Sequence, residues 1–173
     1  MSYGSACSAD GFITGPGDAM DWLHFSTDVE AIMRDYWARV DTVLMGRRTW
    51  DFANAMGGGG SMPGVKTYVF SRTLTDIGAP GVTLVRDDAV EFVRGLKRQR
   101  GKEICLMGGS DFAQCLIEAD LVDEIGANIH PVLLGQGVPL FRDAGRVALK
   151  LTSCRELSGG CVYVMYKVVR SRQ

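Results

Sequence analysis

Ile104-Cys105-Leu106-Met107-Gly108-Gly109-Ser110-Asp111 runs from an unbroken apolar stretch into two glycines, a hydroxyl and an acid. A short run that is apolar on both faces suits an interior parallel strand covered by helices on each side. Phe112, Cys115, Leu116 and Ala119 then recur at helical spacing, so a tight strand-to-helix turn falls on the glycines. Two further turns follow short apolar runs in the same way. Thr42-Val43-Leu44-Met45 leads into Gly46-Arg47-Arg48-Thr49, and Thr67-Tyr68-Val69-Phe70 leads into Ser71-Arg72-Thr73. If these runs are parallel strands, all three turns share the sheet edge on which open α/β folds bind nucleotides.

The rest of the pattern extends this sheet. Val29, Ile32, Met33, Tyr36, Trp37 and Val40 mark the clearest helix, with Thr27 and Glu30 as a capping box. Ala89, Phe92, Val93 and Leu96 mark another helix, and a shorter one is predicted from Arg48 to Ala53. Tyr3 to Ser8 and Val82 to Arg86 read as further strands. Beyond residue 120 the texture changes: Ile125, Ala127 and Ile129 alternate, then Val147, Leu149 and Leu151, then the dense run Cys161 to Val168. Strands joined without long helices predict an antiparallel edge, closed by the turn Ser158-Gly159-Gly160. The expected architecture is α/β, a mixed and mainly parallel sheet with about four helices, in one domain spanning residues 1–173. The glycine run Gly57 to Gly60 reads as a surface loop.

Composition removes whole classes of function. With 19 Lys+Arg against 20 Asp+Glu there is no basic excess to support nucleic-acid binding. No apolar stretch reaches the ~20 residues of a membrane span, and the first residues lack a charged signal region. The five cysteines are scattered with no C-x-x-C pair, which reads as reduced core thiols of a cytoplasmic protein. Their spacing assembles no metal site.

Each turn offers anion chemistry. Gly46-Arg47-Arg48-Thr49 opens a helix, whose free N–H groups and dipole favour an anion, and its arginines add charge-assisted bonds. Gly108 and Gly109 let a pyrophosphate approach the backbone. Ser71 and Arg72 at a strand end suit the extra phosphate of NADPH, where one charge-assisted bond of roughly 1.5–3 kcal/mol gives tenfold or more preference over NADH. Each turn also has a plainer reading, as a solvated turn or a simple strand-to-helix corner.

In order, Met45-Gly46-Arg47-Arg48-Thr49-Trp50, Pro63-Gly64-Val65-Lys66-Thr67 leading to Ser71-Arg72, and Met107-Gly108-Gly109 resemble the cofactor-binding stations of dihydrofolate reductases. Ser8-Ala9-Asp10-Gly11-Phe12-Ile13 and the segment from Pro131 to Phe141 are more similar to the reductase domain of riboflavin-biosynthesis proteins and its stand-alone relatives. The resemblance implies a three-layer dihydrofolate reductase-like fold with a central sheet of about eight strands, and NADPH as cofactor. It implies that Gly46, Arg47, Arg48 and Thr49 hold cofactor phosphates, that Ser71 and Arg72 select NADPH, and that Gly108, Gly109, Ser110 and Asp111 cradle the pyrophosphate. Asp10 to Trp22 would be a mobile loop over the nicotinamide. The expected activity is hydride transfer to a C=N or C=O of a small heterocycle, pyrimidine ribityl or pterin-like. A true dihydrofolate reductase and a noncatalytic NADP(H)-binding module are the alternatives. Homodimerisation is a further implication.

The proton donor stays open. Asp28 is placed as the acid in the first turn of the helix after the loop, or as a helix-start anion. Asp10 is either a carboxylate near the substrate or an Asp-Gly turn residue. Trp22 either stacks on a planar substrate or pins the loop. No zinc-deaminase motif accompanies these residues, and the chain has only two histidines, His24 and His130.

Overall fold

The structure, a computed structural model, describes residues 1–57, 62–142 and 145–170. In chain order the elements are β1 (Ser2–Ser8), β2 (Phe12–Thr14), α1 (Thr27–Trp37), β3 (Val40–Gly46), α2 (Arg47–Ala55), β4 (Lys66–Phe70) and β5 (Val82–Val85). They continue as α3 (Ala89–Lys97), β6 (Glu103–Gly108), α4 (Ser110–Glu118), β7 (Glu124–His130), β8 (Val138–Pro139), β9 (Ala148–Leu157) and β10 (Cys161–Val169). Eight strands form the main sheet in the order β5-β4-β3-β6-β1-β7-β10-β9. The first six in that order run parallel, and β10 lies antiparallel to both β7 and β9. The fold is the dihydrofolate reductase-like α/β architecture, a mainly parallel sheet with an antiparallel edge.

Alternation along the apolar runs sorts their side chains to two layers. Leu44 and Leu106 pack with Val93 of α3 and Leu116 of α4, all four fully buried. Their neighbours Val43, Met45 and Cys105 face the other way, onto Trp50 of α2, with Tyr36 and Trp37 of α1 alongside. Fully burying such a side chain contributes about 1.5–3 kcal/mol. Farther along the second face, Val29 of α1 packs with Leu157 and Cys161.

Several local expectations need correction. The first helix ends at Trp37 and Val40 begins β3, because a helical spacing continues by chance into the strand. The capping box of Thr27 and Glu30 does not form: Ser26 is the N-cap, and its hydroxyl binds Asp28 rather than a backbone N–H. Asp88, by contrast, caps α3, accepting from the Glu91 N–H at 3.0 Å. Asp10 to Trp22 contains β2, which pairs with β8 in a separate two-stranded sheet. Cys115 and Cys154 are exposed rather than core. The loop expected at Gly58 to Gly60 lies outside the described residues.

Candidate active site

Strand order brings the three turns side by side. β4, β3 and β6 are consecutive in the sheet, with Gly46 beside Phe70 and Met45 beside Gly108. Gly46 and Gly109 are the N-caps of α2 and α4, and neither helix start has a side-chain cap. A Cβ on Gly46 would lie 3.5 Å from the Gly109 nitrogen, so the two helix starts are close neighbours. Uncapped N–H groups at two adjacent helix starts form a site for an anion. Thr49 closes one side, its hydroxyl oxygen 3.4 Å from where a Gly109 Cβ would sit.

The arginines rim this cradle. Arg47 donates through Nη1 to the Thr73 hydroxyl at 2.8 Å and through Nε to Asp51 at 3.3 Å, which ties α2 to the turn after β4. Ser71 Oγ accepts from the Thr73 and Leu74 N–H groups at 3.3 and 3.1 Å and fixes that turn. Arg48 and Arg72 are exposed. Ser110 is buried in the first turn of α4, while the Asp111 carboxylate lies 3.5 Å from Arg142 Nε. The chemistry of this set, glycine-lined backbone donors with flanking guanidinium groups, fits a pyrophosphate-bearing cofactor.

β6 leads from the cradle to a cavity of about 290 Å³ lined by its residues Cys105 and Met107. The floor exists because the α1-facing positions of β1 and β7 are small. Gly4, Ala6 and Gly126 line the sheet side of the cavity, with Gly4 drawn close to the Gly126 backbone and Met165 lying over Gly126. Gly4 and Ser5 are exposed although β1 is an interior strand, because its pairing with β6 covers only Ser2 and Tyr3. Val29, Ile32, Met33 and Tyr36 of α1 roof the space, and Phe25, 72% exposed, stands at its mouth. Tyr36 shares a 2.8 Å hydrogen bond with Ser2 Oγ. Burial raises the pKa of the Tyr36 phenol and pushes the Cys105 thiol up to about 11, so both stay protonated.

His130 lies at the polar end, 2% exposed. Its Nδ1 accepts from the His24 backbone N–H at 3.4 Å and lies 3.5 Å from the Cys161 thiol. An Nδ1 that accepts leaves the proton of the neutral ring on Nε2. Burial, helped by the neighbouring His24, lowers its pKa and favours that neutral form. Trp22 packs edge-on against this ring at 5.2 Å and donates to the Ala19 carbonyl at 3.2 Å. Trp22 thus pins its loop against the cavity wall.

The two carboxylates are held elsewhere. Asp28 accepts from the Ser26 hydroxyl, from the Ser158 N–H at 2.7 Å and from its neighbour Val29 N–H at 3.0 Å. The Ser26 hydroxyl first, then the Ser158 N–H, hold it well below the usual carboxylate range. Asp10 accepts from Ser8 Oγ at 2.6 Å and from the Gly135 and Leu134 N–H groups at 2.7 and 3.2 Å, and is likewise lowered. Each ties a loop to a distant turn, and neither lines the cavity. His24, His130, Tyr36 and the glycine floor do line it, and the only sequence signal for them was the run of small residues in predicted strands.

The fold is of the reductase type, as its family and structural likenesses show. The chain belongs to the RibD C-terminal domain family, whose model matches residues 2–163. Protein YyaP of Bacillus subtilis (strain 168) is 35% identical over 173 residues, covering 93% of this chain and 90% of YyaP. A crystal structure from Shewanella sp. PV-4, of a protein named for riboflavin biosynthesis, matches with a TM-score of 0.80 and 26% identity over 98% of both chains. Dihydrofolate reductase from Enterococcus faecalis, complexed with NADP(H) and RAB-propyl, shares the fold with a TM-score of 0.69 and 20% identity. That match covers 96% of this chain and 95% of the reductase.

Proposed function

We propose that this protein is an NADPH-dependent reductase that transfers a hydride to a C=N or C=O carbon of a small heterocyclic substrate. The observation that carries this reading is the pair of uncapped helix starts at Gly46 and Gly109, set beside Arg47, Arg48 and Arg72 and joined by β6 to the cavity. NADPH, when bound, supplies the hydride. Gly46, Thr49, Gly108, Gly109 and the first turn of α4 with Ser110 and Asp111 hold its pyrophosphate. Arg47 and Arg48 flank the phosphates, and Ser71 with Arg72 bind the additional ribose phosphate. The cavity aligns the acceptor and excludes water, which together lower the barrier without a covalent nucleophile.

Asp10 and Asp28, ionised and committed to loop contacts outside the cavity, position their loops rather than give up a proton, and water supplies the proton. Recognition of a pterin as in a dihydrofolate reductase asks for a carboxylate in the cavity, and the Asp28 oxygens are committed to Ser26, Val29 and Ser158. The hydride-transfer reading on another heterocycle is therefore the better supported one. A noncatalytic module would bind the cofactor and never oxidise it.

Titration with NADPH and NADH, followed by nicotinamide fluorescence, tests the assignment. NADPH binds more tightly, and Arg72→Ala weakens NADPH about tenfold or more while leaving NADH nearly unchanged, as expected for one lost charge-assisted bond of roughly 1.5–3 kcal/mol. Equal losses for both cofactors remove Arg72 from selectivity.

We also propose a homodimer formed through the edge strand β9, which is exposed along nearly its whole length and carries Leu149 at 41% and Leu151 at 52% exposure. A long exposed edge strand with apolar residues such as Leu149 and Leu151 offers pairing with a second copy. Light scattering reports a dimer, and Leu151→Arg shifts it to monomer.

A further inference from the structure

The side chains around the cavity include no Asp, Glu, Lys or Arg among the described residues. Its walls are aliphatic and aromatic, from Val29, Ile32 and Met33 of α1 across to Leu157 and Met165. Its polar groups are uncharged hydroxyls, an amide and the His24–His130 pair. Ser2 and Tyr36 already satisfy each other, and His130 is engaged by His24 and Cys161. The guanidinium groups of Arg47, Arg48 and Arg72 stand at the cofactor cradle, and Asp10 and Asp28 are turned into loop contacts.

From this we infer that the cavity takes an uncharged, planar, largely apolar carbonyl compound, and rejects substrates that carry a phosphate or carboxylate into it. An anion carried in without an Arg or Lys partner is disfavoured, because a few neutral donors do not replace the hydration it loses. A planar ring, by contrast, meets apolar side chains on the α1 side and Gly4, Ala6 and Met165 on the sheet side. Its carbonyl oxygen then finds neutral donors at the polar end. The inference rests on reading this cavity as the substrate site and narrows the substrate from heterocycles in general to neutral ones. A phosphoribosylated pyrimidine or a glutamate-tailed pterin whose charged tail must enter the cavity falls outside that class.

The experiment compares coumarin with coumarin-3-carboxylate, two planar carbonyl compounds that differ by one negative charge, at pH 7.5. Binding is measured by calorimetry on the full chain, with and without saturating NADPH, so it does not depend on turnover. Coumarin binds at least about tenfold more tightly than the carboxylate, and millimolar ribose 5-phosphate does not displace it. Equal or tighter binding of the carboxylate, displacement by the sugar phosphate, or no binding of coumarin overturns the inference.

Met33→Lys places a cation at the mouth on an exposed helix position that tolerates lysine, Met33 being 45% exposed. It narrows or reverses the preference, with the circular dichroism spectrum unchanged. An unaltered ratio means the ligand sits elsewhere and overturns the assignment. Loss of NADPH binding with the coumarin preference intact refutes the reductase reading alone. Tight NADPH binding with the preference reversed refutes only the neutral-substrate inference.

Discussion

Gly109→Val abolishes binding of both NADPH and NADH, with a loss of affinity of at least about a hundredfold, while the protein still folds. Gly109 has φ −80° and ψ −177°, an extended conformation open to any residue. A Cβ there would lie 3.4 Å from Thr49 Oγ1, a contact that a small shift of the hydroxyl relieves. The branched side chain would nevertheless stand between the starts of α2 and α4, in the space through which a pyrophosphate must reach the N–H groups. A loss of that size is about 2.7 kcal/mol, comparable to removing one or two charge-assisted hydrogen bonds. Fluorescence titration reads the affinity and thermal melting confirms folding. Unchanged affinity in a folded variant refutes the cradle.

The second large effect is on stability. A side chain on Gly4 would place its Cβ 2.2 Å from the backbone oxygen of Gly126, its partner across β1 and β7. A contact that short on a rigid interior strand cannot be relieved by a rotamer change, so the strands must separate. Gly4→Val costs about 3 kcal/mol or more, the upper end of overpacking effects, and lowers the melting temperature by several degrees or prevents folding. An unaltered melting curve shows that the two strands can part without penalty. Gly4 is thus both the floor of the cavity and a condition for closing the centre of the sheet.

These positions divide by how far their information travels along the chain. The turns at Gly46 and Gly108 were legible because strand, glycine and helix are contiguous there, and the turn at Ser71 because it directly ends an apolar strand run. The end of α1 was not, since Val40 continues a helical spacing although it belongs to β3. β2 and β8 pair residues 12–14 with residues 138–139, too short and too far apart to leave a period in either segment. Asp28 could be placed at a helix start, but its carboxylate is fixed by Ser158, 130 positions away. The cavity was the least legible part. Glycine in a strand reads equally as a weak spot or a close approach, and only the pairing of Gly4 with Gly126 shows that it is the latter.

β6 stands between β3 and β1 and faces two tasks at once, with Cys105 and Met107 in the cavity wall and Gly108 at the cradle. Every turn proposed to hold the cofactor lies on its β3 side or at its own end, and the small floor residues lie on its β1 side. The sheet is therefore partitioned along this strand into a half that carries the proposed cofactor turns and a half that carries the cavity floor. On the proposed reading, substitutions in β1, β7 and the facing side of α1 alter which acceptor fits, with no change in how the cofactor is held. Changes made on opposite sides of the seam should combine independently, because widely separated sites without shared partners are additive.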